Sequence, residues 1–72
     1  MNTAEAMGFT AIDVETAKPD LASMCQIGVV QFSDGHVANQ WTTLVNPEDS
    51  FDPVNVRIHG ITAEAVRSAP VL

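Results

Sequence analysis

The sequence predicts an α/β fold: a three-stranded antiparallel meander followed by one or two short helices, forming the front portion of a larger α/β domain. Three observations predict it. Apolar, β-rich segments follow one another through residues 8–45, and the last two are joined by Asp34-Gly35, a turn pair whose left-handed residues match the twist of paired strands. Two helix-like segments come next, one closed by Gly60 and the other by Pro70. The chain's 72 residues leave too little material to cover a sheet whose two faces are both rich in apolar side chains.

Residues 1–7 are polar and acidic and are expected to be a flexible leader. Asn2-Thr3-Ala4-Glu5 could open a helical turn, but seven residues cannot sustain a helix alone. The first strand is expected from Gly8 to Val14, with Ile12 and Val14 turned into the core and Asp13 and Glu15 on the opposite face. Ala17-Lys18-Pro19-Asp20 breaks regular structure, because proline restricts itself and the lysine before it. Cys25 to Ser33 is the second strand, dense in β-formers at Ile27, Val29 and Val30. His36 to Val45 returns as the third, with Val37, Trp41, Thr43 and Val45 on one face.

A turn-rich loop over Asn46 to Pro53 follows, then one helical turn from Val54 to His59 that Gly60 ends. Thr62 is a good N-cap for a second helix through Ala63 to Arg67, with Glu64 placed favourably against the helix dipole. No repeat or linker interrupts residues 8–72, which read as one portion of a single domain.

With 46% hydrophobic and 17% charged residues the chain is too apolar for a disordered tail. The lone Cys25 excludes an internal disulfide, and no His/Cys cluster suggests zinc, so a reducing, cytoplasmic setting is expected. No secretory signal and no membrane-length apolar run is expected. The net charge of −6, with only Lys18, Arg57 and Arg67 positive, argues against a free-standing module that grips phosphates by itself. It leaves room for a metal-dependent nuclease, whose own site is built of carboxylates.

The chemistry concentrates in Phe9-Thr10-Ala11-Ile12-Asp13-Val14-Glu15-Thr16. Two carboxylates two residues apart share a strand face, where they repel each other and lose hydration unless a cation sits between them. Oxygen-only ligands suit Mg²⁺ or Mn²⁺. The plain alternative is a pair of solvated carboxylates at a strand end.

Together with Cys25-Gln26-Ile27-Gly28-Val29-Val30, Val45-Asn46-Pro47 and Ile58-His59-Gly60-Ile61-Thr62, that segment resembles the DnaQ-like (DEDD) 3′–5′ exonucleases, among them the proofreading epsilon subunit of bacterial DNA polymerase III. The resemblance covers Gly8 to Val66. It implies a ribonuclease H-like fold, with two divalent cations held by four carboxylates. Asp13 would bridge both metals, and Glu15 would hold the one nearer the attacking water. Val14, Thr16, His59 and Gly60 would lie along the terminal nucleotide.

The implied reaction is hydrolysis of the last phosphodiester at a single-stranded or frayed 3′ end of DNA, or of RNA, releasing nucleoside monophosphates in proofreading or repair. Polymerase subunits would be partners. The family's third aspartate, base histidine and fourth aspartate have no counterpart after Thr62, where Glu64 is the one acidic residue, so the 72 residues alone are expected to be inactive.

Other residues read more plainly. His36 is expected to be solvated, Cys25 a small core residue, and Trp41 a core or partner contact. Two rival functions stand beside the exonuclease. A haloacid-dehalogenase-type phosphatase would also place paired acids after its first strand, but with a strand–helix crossover next. A non-catalytic assembly module would pair, as a homo-oligomer, through its uncovered sheet.

Overall fold

The computed structural model describes residues 8–72; the leader expected over residues 1–7 lies outside the described residues. Its elements are β1 (Phe9–Thr16), a 3-10 turn (Leu21–Ser23), β2 (Met24–Ser33), β3 (His36–Leu44) and α1 (Pro53–His59). The strands form one sheet in the order β1-β2-β3, both pairs antiparallel, which is the predicted meander. Asp34 and Gly35 close the second hairpin with φ of 50° and 80°, the left-handed pair that a two-residue turn of this twist requires.

The first strand runs two residues further than predicted, so Asp13 and Glu15 lie within the ladder rather than at its fringe. The connection to β2 is more than a break. Ser23 is fully buried, and its Oγ accepts from the Lys18 N–H at 3.1 Å while donating within a pocket formed by the carbonyls of Asp20 (2.7 Å) and Lys18 (3.0 Å). The Asp20 carboxylate caps the 3-10 turn by accepting from the Ala22 N–H at 2.9 Å.

Two irregularities in register decide where side chains go. Glu15 pairs with Gln26 but Thr16 pairs with Met24, so Cys25 is the extra residue of a bulge. It turns into a small core with Ile61 and Val66, against which Leu44, Phe51 and Ala69 pack. The second falls in β3: Asn39 pairs with Gln31 and Val37 with Phe32, leaving Ala38 over. Because directly paired residues share a face, this bulge moves Val37 onto the face of Phe32, opposite Trp41 and Thr43. The expectation that Val37, Trp41, Thr43 and Val45 share one face is corrected accordingly.

The core sits at one end of the sheet, around Ala17, Cys25, Val45, Ile61 and Val66, and not on its faces. Ile12, expected inside, is 68% exposed, and Trp41 is 50% exposed. The chain after β3 folds back onto the strand ends, so nothing among the described residues covers the middle of either face. His36 is exposed, as expected.

α1 forms where one helical turn was predicted, with Asp52 accepting from the Val54 N–H at 2.9 Å, Pro53 in the first turn, and Gly60 at φ 75° closing the C-terminus. The second predicted helix does not form. Thr62 does cap its start, accepting from the Ala65 N–H at 3.2 Å. The following bonds run from Arg67 to Glu64 and from Ala69 to Val66, three residues apart, and residues 63–68 are successive turns. So short a segment gains few four-residue bonds, and tighter closure delivers Val66 into the core. No helix among the described residues is long and apolar enough to cross a membrane.

Burial in this core, and after it the nearby Glu15 carboxylate, push the Cys25 thiol above its ordinary value. The folded state therefore keeps a proton that the unfolded chain gives up. Stability from this group is full below the ordinary thiol value of roughly 8.5 and is lost as pH rises from there through the folded-state value. Urea unfolding between pH 7 and pH 10 is expected to show stability falling above pH 8, with a shallower fall in Cys25→Ala; equal slopes would refute the assignment.

Candidate functional site

The site is built from the end of β1 outward. In the antiparallel register Asp13 faces Gly28 and Glu15 faces Gln26, so alternation puts both carboxylates on one face of a paired strand. Asp13 is exposed and Glu15 half-buried. Among the described residues neither is joined to a lysine or arginine; Lys18 pairs instead with Asp49 at 2.9 Å, which raises the lysine and lowers the carboxyl. That surface pair ties the loop after β1 to the loop after β3 and adds little stability, because both groups stay hydrated.

Opposite Asp13 the missing side chain of Gly28 leaves an open depression of about 470 Å³, bordered by Asp13, Val30, Gln40 and Thr42. A methyl group at position 28 would meet Thr42 Oγ1 at 3.7 Å and the Asp13 carbonyl at 3.9 Å, ordinary contacts. Packing therefore does not demand glycine here, and its effect is to keep the floor beside Asp13 low.

The remaining predicted residues divide. Val14 is half-buried and alternates to the face away from the carboxylates, so only its backbone lies between them. Thr16, the last residue of β1, is where α1 attaches. Its carbonyl accepts from His59 Nε2 at 2.9 Å and from Asn55 Nδ2 at 3.2 Å, while Asn55 Nδ2 also reaches Thr16 Oγ1 at 3.3 Å. One residue on, the Asp52 N–H donates to the Ala17 carbonyl at 2.7 Å.

The second nitrogen of His59 is also engaged. Nδ1 accepts from the Ile61 N–H at 2.9 Å, which leaves the ring proton on Nε2, the atom that faces the Thr16 carbonyl. This histidine is thus a fixed strut between helix and strand. Gly60 is exposed beyond it, and its left-handed conformation ends α1 as its N–H donates to the Val56 carbonyl at 2.7 Å.

Asn55 was not singled out from sequence. The signal available was its spacing: four residues before His59 it occupies the same helix face, and a polar residue there, between Val54 and Val56, invites a strand-end partner.

The donor set fits a hard divalent cation, being two carboxylates on a rigid strand with no competing cationic side chain. It is an incomplete set, since no group of three His, Cys, Asp or Glu residues able to hold a metal occurs among the described residues. The topology speaks against the phosphatase alternative. β2 runs antiparallel beside β1, where that reading requires a crossover to a parallel strand.

An exonuclease family model, RNase_T, matches residues 10–72. A Mycobacterium tuberculosis (strain CDC 1551 / Oshkosh) protein named as a bifunctional exonuclease/endonuclease is 35% identical over 74 residues, an alignment covering 89% of this chain and 11% of that protein. The chain thus spans about a tenth of the length of this relative.

The His59 strut makes its own forecast. Ring ¹⁵N shifts at neutral pH are expected to show Nε2 protonated and Nδ1 bare, and in His59→Ala the Ile61 amide should exchange faster with solvent. A ring protonated on Nδ1 would contradict this geometry.

Proposed function

This chain belongs to the exonuclease family, with the fold of the N-terminal part of a ribonuclease H-like exonuclease domain, and from that premise we propose that it supplies the first two carboxylates of a two-metal 3′–5′ exonuclease. The observation that carries the reading is the placement of Asp13 and Glu15 on one face of a paired strand, without a lysine or arginine of the described residues to neutralise them. Two carboxylates held side by side on a rigid strand, with Asp13 open to solvent, offer accessible oxygen ligands to a hard divalent cation.

Asp13 and Glu15 would hold Mg²⁺ or Mn²⁺, which when bound lowers the pKa of water and offsets charge on the attacking and leaving oxygens of an in-line displacement. The protein's own part is positional. The ladder on β2 fixes the strand, the latch from α1 fixes its end, and the low floor at Gly28 leaves room beside Asp13. Thr16 would meet the terminal nucleotide through its hydroxyl and N–H, with the Val14 backbone, His59 and Gly60 close along the chain. The other carboxylates and a base would come from residues outside this chain, so the 72 residues alone are inactive in this reading.

We place the activity in the cytoplasm, on 3′ ends of DNA, in proofreading or repair alongside polymerase subunits. RNA ends would be the alternative substrate. The exposure of Phe9 (60%), Ile12 and Trp41 favours a second reading, in which the sheet faces serve assembly.

End-labelled oligonucleotides separate these. The full-length protein with Mn²⁺ is expected to shorten DNA from the 3′ end and release monophosphates. Asp13→Ala should lower the rate by roughly 10³-fold or more, since loss of a metal ligand removes most transition-state charge stabilisation. Undiminished activity in Asp13→Ala, or shortening from the 5′ end, would defeat the proposal; absence of any nuclease activity together with self-association would favour assembly.

A further inference from the structure

We propose that the outer edge of β3 is a self-pairing surface, which joins a second copy of this chain about a two-fold axis at Trp41 so that the two sheets become one. β3 has nine residues and no strand beyond it among the described residues. The charges and prolines that ordinarily guard an edge are missing: no Asp, Glu, Lys, Arg or Pro occurs from His36 to Asn46. Its bulge lies near the start, at Ala38, and Asn39 to Leu44 keep unbroken register with β2. The opposite edge, β1, carries Asp13 and Glu15, which self-pairing would crowd against the acids of the copy.

The strand itself points to its occupant. Antiparallel pairing about an axis at Trp41 sets Trp41 against its own copy, Gln40 against Thr42, Asn39 against Thr43 and Ala38 against Leu44. Polar residues meet polar ones and apolar residues meet apolar ones, the self-complementarity that a two-fold interface demands. Moving the axis one residue, to Gln40 or Thr42, sets Trp41 against Asn39 or Thr43 and loses the match.

Directly paired residues share a face, and the register already sets Val29 between Ile12 and Trp41. Pairing continues that apolar row across the seam into the same row of the copy, and it covers part of a Trp41 side chain that is half exposed. Asp13 stands on the far strand of the sheet, so the carboxylates stay uncovered and the surface is independent of the exonuclease reading.

A seam of one strand is smaller than the standard interface of roughly 1,600 Å², so dissociation in the micromolar range is expected. Sedimentation velocity of the full-length protein should show twice the monomer mass at the upper end of that range. Trp41→Lys and Trp41→Glu each set like charges against one another at the axis and should sediment as monomers; the side chain is exposed enough for either to fold. Mixed in equal amounts the two variants should regain the doubled mass, because Lys then faces Glu. A wild-type protein that stays monomeric, a doubled mass that survives both substitutions, or two monomeric variants that do not pair on mixing would each overturn the proposal. The readout is mass, so it stands whether or not the protein cleaves DNA.

Discussion

The attachment of α1 to the end of β1 is the constraint on which the rest depends. The Thr16 and Ala17 carbonyls, where β1 ends, accept from donors on Asp52, Asn55 and His59. Each such bond is worth roughly 0.5–1.5 kcal/mol net, yet leaving the carbonyls dry and unpaired would cost more. These bonds link residues about forty positions apart. They set the path of the loop after β3 and the direction in which Ile61 and Val66 return to meet Cys25.

That geometry explains why order gathers at one end of the sheet. The Cys25 bulge, the buried Ser23 knot and the Gly60 terminus all lie around the strand end that carries Glu15 and Thr16. The far half, with Phe9 stacked on Phe32 at 4.7 Å, has no cover among the described residues. A chemical site gains from this distribution, because the carboxylates stand on the portion of β1 with the most cross-links while Asp13 remains open to solvent.

Much of this was legible in the sequence, and the parts that were not share one cause. Strand alternation, the Asp34-Gly35 turn and the glycine stop at position 60 are local signals, and each appears where local chemistry places it. The pairing of Asp13 and Glu15 on one face follows from a period of two. The bulges at Cys25 and Ala38 depend on register with a neighbouring strand, which no local pattern encodes, and so the face assigned to Val37 was wrong. Ile12 was assigned to a core because alternation puts it opposite the carboxylates, although the covering segments go to the strand end. The turns over residues 63–68 show tertiary demand, the burial of Val66, outweighing a correctly read cap at Thr62. Asn55 was overlooked because its partner lies 39 residues away.

The central claim is that the Asp13 and Glu15 carboxylates bind catalytic cations. Its most direct test is anomalous diffraction from crystals of the full-length protein grown with Mn²⁺ and a nucleoside monophosphate. The account predicts manganese peaks within coordination distance of Asp13 and Glu15 oxygens, with the nucleotide against Thr16. Peaks held entirely by other residues, with these two carboxylates free in solvent, would contradict it.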